Sequence, residues 1–212
     1  MSRVFLLSPA HCGGERASLV LSPRARSDLA LRLRASSGAP LGEVFSFMSG
    51  LYFRGKLTYA SAFASPPAGV PGVYVITPTD GLELAETAVD VSRLRRFARV
   101  DIHADDARFR RPLLRHARRL AEAMGPDGEV VLLGSIATGK YVEPLLEALG
   151  ERLRFPSEFL GRGDMSRGGL LLRHARSGIE LDYLAVRGAT RHGARPPRLL
   201  PASRATHRSS SC

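Results

Sequence analysis

The chain has no tryptophan, two cysteines, two lysines and no apolar run near the roughly 20 residues that a membrane-spanning helix requires. So few cysteines exclude a disulfide scaffold. Cys12 and Cys212 stand near opposite ends of the 212 residues, which points to a reduced, intracellular chain. The six histidines are scattered and show no metal-ligand spacing, so neither a metal nor any other cofactor is expected. The apolar VFLL after MSR is too short for a signal h-region and no small-residue cleavage site follows it. Cytoplasmic localisation without a membrane partner is the expectation.

Lysine is scarce because arginine replaces it. Of 31 basic residues only Lys56 and Lys140 are lysine, leaving 29 arginines. A bias this lopsided is as consistent with an arginine-rich coding background as with a nucleic-acid surface. The formal charge is +11, and the stretch from Arg187 to Cys212 holds six arginines and no acid. With 44% hydrophobic residues the chain can bury one real core. The organisation expected is a single domain over 1–186 and an Arg/Pro/Ser-rich disordered tail over 187–212.

Three apolar runs read as buried strands: VFLL at 4–7, GVYVITP at 72–78 and VVLLG at 130–134. ERASLVL at 15–21 reads as part of a polar loop. Helices are expected over 26–34, 53–63, 112–124 and 142–149. The third has apolar residues at spacings of three and four, Pro112 in its first turn and Gly125 past its end. GLLLRHA at 169–175 and IELDYLAV at 179–186 read as a hairpin about Ser177-Gly178. The fold class is therefore α/β, a mostly parallel Rossmann-like sheet with flanking helices and a C-terminal antiparallel hairpin.

GSIATGKY at 134–141 has Gly134, Gly139 and Lys140 at the spacing of a phosphate-binding loop, G-x-x-x-x-G-K-[ST], but Tyr141 replaces the magnesium-binding hydroxyl. A strand ending in small residues at the carboxyl edge of a sheet, where open α/β folds bind ligands, is the more economical reading. A P-loop-like NTPase stays as an alternative.

Four stretches taken in order, FLLSPAHC at 5–12, FSFMSGLYFRGKLTYA at 45–60, VYVITPTDGLELAET at 73–87 and VVLLGSIATGKYVEPL at 130–145, resemble the peroxide-stress (YaaA-like) protein family and related bacterial domains. That resemblance implies a mixed α/β fold and an association with DNA or nucleic-acid bases. Tyr141 fits that family's turn better than it fits a P-loop. RFPSEFLGRGDMSRGGLLLR departs from the family in its Arg and Gly content.

Several residues carry candidate chemistry. In GRGDMSRGG, 161–169, glycine permits close backbone approach while Arg162, Ser166, Arg167 and Gly168 suit an anionic ligand; a surface loop or hairpin connection is the plainer alternative. Cys12 follows a strand in a Gly-rich turn with Arg16 nearby, so it is a candidate nucleophile, or else a small buried hydrophobe. Tyr52, Arg54 and Lys56 alternate rings with cations, as base-stacking surfaces do, or else form a helix with its tyrosines packed inward.

The leading expectation is a protein that binds a nucleotide, nucleobase or nucleic-acid strand at the carboxyl edge, with possible base or glycosidic chemistry. Cys12 and Asp164 would act as nucleophile or base. Gly13, Gly14, Arg16, Thr77, Gly81, Gly134, Ser135, Thr138, Lys140 and Tyr141 would line the site under Arg162 to Gly169. A non-catalytic DNA-binding stress protein is the alternative.

Overall fold

The computed structural model describes residues 1–191, 193, 194, 196 and 197. The first strand, β1 (Arg3–Leu7), is the hub. It pairs in parallel with β3 (Val73–Thr77) on one side and β6 (Glu129–Leu133) on the other. A fourth parallel strand, β7 (Leu153–Pro156), follows β6, and antiparallel β4 (Gly81–Glu83) and β8 (Tyr183–Ala185) close the two edges. The sheet order is β4-β3-β1-β6-β7-β8, and β2 (Ala39–Pro40) forms a two-stranded sheet with β5 (Ala88–Val89).

The central residues of parallel β1, β3 and β6 are apolar because both faces of the sheet are covered. Phe5 and Leu7 of β1 enter one core with Val131 and Leu133, while Val4 and Leu6 enter the other with Val130 and Leu132. On the first face lie α1 (Glu15–Leu21), α2 (Asp28–Arg34), α3 (Leu41–Ser49), α4 (Leu51–Phe63), α5 (Val91–Ala98) and α8 (Asp164–Ser177). On the second lie α6 (Ala107–Met124) and α7 (Gly139–Leu149).

Helix α6 shows why such faces form. Phe109, Leu113, Ala117, Leu120, Ala121 and Met124 recur every three or four residues and are buried, each large one contributing roughly 1.5–3 kcal/mol. The helix starts at Ala107, five residues before the proline expected to open it, because the Asp106 carboxylate accepts a 2.9 Å bond from the Arg108 amide. That cap outweighs the proline, which removes only one intrahelical bond near the first turns. Among the described residues no helix is long and apolar enough to cross a membrane.

Other expectations need correction. Residues 15–21 form α1 rather than a loop, and 41–63 form two helices hinged at Gly50, whose φ of +63° no L side chain adopts easily. The expected hairpin is not there: 169–175 lie inside α8, and the antiparallel partner of β8 is β7. The reason is a helix crossing. A Cβ on Gly168 would stand 2.8 Å from Leu51 O and Tyr52 Cα, and one on Gly55 would stand 2.7 Å from Gly168 O. The two glycines let α4 and α8 touch backbone to backbone, which overrides glycine's poor helix propensity. Of the expected tail, the first residues pack on the domain: Arg187 pairs with Glu151 at 2.6 Å. Residues 198–212, with Cys212, lie outside the described residues.

Candidate functional site

The chain winds from β1 out to β3 and then crosses back over β1 to β6. Winding reverses between β1 and β6, so the crevice outside their carboxyl ends is the topological switch point, where open α/β sheets bind ligands. Two turns flank it: 8–14 after β1 and 134–138 after β6.

A cleft of about 340 Å³ opens at this edge. One wall is Pro9 to Gly13 from the turn after β1, with Pro78 beyond β3. The opposite wall is Lys140 and Tyr141 on the first turn of α7, and Phe97, Val100 and Ile102 complete it. Lys140 Nζ stands 5.1 Å from the Tyr141 ring centre. Tyr141 is buried edge-on against Phe109, and burial raises its phenol above the ordinary range.

Cys12 lines this cleft but does not suit a nucleophile. It is 5% exposed, its thiol faces Ala10 O at 3.7 Å, and burial pushes its pKa up to about 12. A thiol that stays protonated at neutral pH is the reverse of an activated one. Asp164 is the first residue of α8, with its carboxylate largely exposed and 3.4 Å from Arg167. There it complements the helix dipole.

A second cleft, of about 160 Å³, lies between Ile136-Ala137 and the segment after β7, and is rimmed by Arg162, Arg167 and Arg191. Arg167 donates to Phe159 O at 3.0 and 3.2 Å, and Arg162 donates to Glu158 O at 2.9 Å and to the Ser166 hydroxyl at 3.3 Å. Neutral acceptors hold both guanidiniums in place, and Arg167 also meets the largely exposed Asp164 carboxylate at 3.4 Å.

Behind both clefts sits the least expected feature. Lys56 is 1% exposed, and its ammonium has no carboxylate partner among the described residues. Its Nζ donates to Ser8 O at 2.5 Å and contacts Ser8 Oγ at 2.9 Å, over the rings of Tyr52 at 4.3 Å and Phe53 at 4.9 Å. Burial draws its pKa down to about 7; Asp164 opposes that shift and Arg167 adds to it. One turn earlier on the same helix face, the Tyr52 hydroxyl is buried with no atom in hydrogen-bond geometry, although Arg167 lies close enough to oppose the upward effect of burial on its pKa.

The structure therefore groups Cys12, Gly13, Lys140 and Tyr141 in one cleft, Arg162 and Arg167 in another, and Tyr52 and Lys56 beneath. Other expected site residues have local structural work. Arg16 reaches Phe47 O at 3.5 Å in the last turn of α3, Gly14 caps α1 and Arg54 faces solvent. Thr77 closes the β3–β4 turn through Gly81 O at 3.0 Å, and Gly81, at φ +75°, lies against Pro112 O. Gly134 packs on Ser8, Ser135 accepts from the Ala137 amide at 3.3 Å, and Thr138 precedes α7 without a side-chain cap. Gly168 belongs to the helix crossing rather than to a ligand loop. Ser8 was missed; its sequence signal was the Ser-Pro step at the end of the first strand.

Tyr141, at the place of the magnesium-binding hydroxyl, is buried, and the Glu143 carboxylate lies against Gly139. No protein-family model matches the chain, and no curated protein or solved structure matches it.

Proposed function

We propose that the carboxyl rim binds a nucleotide or nucleobase. The observation that carries this is the 340 Å³ cleft at the switch point, a volume at the lower end of small-molecule sites and suited to a base or nucleoside. Its apolar floor of Ala10, Phe97 and Val100 accommodates a flat ring, while His11, Asp101 and Lys140 offer polar contacts at the margin. The arginines of the second cleft supply affinity for an anionic group. Chemistry on a base or glycosidic bond by Cys12 or Asp164 finds no support in their surroundings.

A thermal-shift screen of nucleobases, nucleosides and nucleotides tests the reading, because a ligand that binds only the folded state raises Tm. At least one class should raise Tm in the wild type and lose that effect in Lys140→Ala. Flat curves for every class at millimolar ligand would contradict it.

A second reading has its own observation. Arg111, Arg115 and Arg119 stand exposed at i, i+4 and i+8 on α6, a helix of about 27 Å, and form no ion pair among the described residues. Such a stripe fits the nucleic-acid association implied by resemblance to the peroxide-stress family. If it tracks phosphates, replacing all three by Ala should reduce the log–log salt slope of DNA binding by about 3.

A further inference from the structure

Three groups at the carboxyl end of β1 are arranged at an energetic cost that packing does not explain. Lys56 is an interior amine without a carboxylate partner among the described residues, a burial that Met or Leu would make without desolvating a charge. Tyr52 buries a hydroxyl beside the Arg167 guanidinium, with no partner in hydrogen-bond geometry among the described residues. Ser8 stands between them and the switch crevice. Its Oγ lies 2.9 Å from Lys56 Nζ and a longer 3.3 Å from Leu133 O. Gly134 faces it across the sheet, where a Cβ would crowd Oγ at 3.2 Å.

The separation of Oγ and Nζ is that of a nucleophile and its base, and the base is oriented in turn by a third group, the Ser8 carbonyl, and by two aromatic rings. Burial lowers the pKa of Lys56 to about 7, well below the ordinary lysine range, so its amine can accept a proton near neutral pH. The charged groups that bear on it are Asp164 and Arg167 of α8; Tyr52 is contributed by its own helix, and Tyr141 of α7 belongs to the same electrostatic cluster.

We propose that Ser8 and Lys56 form a nucleophile–base pair that hydrolyses small carboxylic esters. Lys56 takes the hydroxyl proton as Ser8 Oγ bonds to the ester carbonyl carbon. The carbon–alkoxide bond then breaks, and the leaving alcohol takes the proton from the Lys56 ammonium. Water attacks the resulting acyl-Ser8, giving its proton back through Lys56, and releases the carboxylic acid with Ser8 regenerated. Ser8 is 6% exposed and precedes Pro9 of the rim cleft, so the substrate must carry a compact acyl group.

The test is labelling of the full-length chain with diisopropyl fluorophosphate, mapped by peptide mass. The expected result is one adduct, on Ser8, formed at a rate that rises with pH through about 7 and then levels. In Lys56→Met the rate should fall on the order of 100-fold or more. The wild-type pH profile needs no variant to fold. No adduct on Ser8, or one whose rate ignores pH between 6 and about 8, overturns the proposal. Equal labelling of a folded Lys56→Met protein overturns it as well.

Discussion

The two ends of β1 each hold a cation, and they treat it in opposite ways. At the amino end Arg3 meets Glu129 at 3.0 Å and Glu180 at 2.6 Å, and Arg154 shares Glu129 at 3.1 Å. At the carboxyl end Lys56, more deeply buried, meets only Ser8 and two rings. The first arrangement is what stability asks of a half-buried charge. The second leaves an ion short of partners where the sheet's winding reverses, and violations of that kind concentrate at functional sites.

The comparison can be broken from either end. The largest effect should come from Gly168→Val, which drives a side chain into the Leu51–Tyr52 backbone and separates the helices that enclose Lys56. A loss of about 3 kcal/mol by chemical denaturation is expected. Glu129→Ala strips Arg3 and Arg154 of their shared carboxylate and should cost about 2 kcal/mol, below the full buried-pair value because both arginines retain some solvent.

Lys56→Met should move the other way and stabilise the fold at pH 7 by about 1–2 kcal/mol, since no ion pair is lost. The sign with pH follows from the depressed pKa. Between about 7 and the unfolded value of 10.5 the unfolded chain holds the extra proton, so wild-type stability rises with pH, by at most about 1.4 kcal/mol per unit. Below about 7 both states are protonated and that contribution is gone. The advantage of Lys56→Met should therefore shrink as pH rises and change sign within about two units above 7. Smallest of all, Arg115→Ala on the solvent face of α6 should stay within about 0.5 kcal/mol.

The same contrast explains how much could be read from the residues. Strands β1, β3 and β6 and the amphipathic α6 were legible because apolar periodicity and burial agree there. The α4–α8 crossing was not. Gly168 and Gly169 read as a loop because glycine's helix-favouring role here is set by the approach of Leu51, over a hundred residues away. Lys56 was legible as a candidate ligand group, as a cation among tyrosines, but its burial and its pairing with Ser8 depend on how β1 meets α4. Cys12 looked reactive beside glycines, and only its environment shows a thiol held protonated.

Because the chain has only two lysines, the state of Lys56 can be observed directly. With lysine carrying ¹³C at Cε, an NMR titration of the folded protein should show one of two side-chain signals changing with a midpoint near 7, and that signal should be missing from Lys56→Met. If neither signal moves until the ordinary lysine range near about 10.4, Lys56 is simply a charged strut, and the carboxyl end of β1 is no different in kind from the amino end.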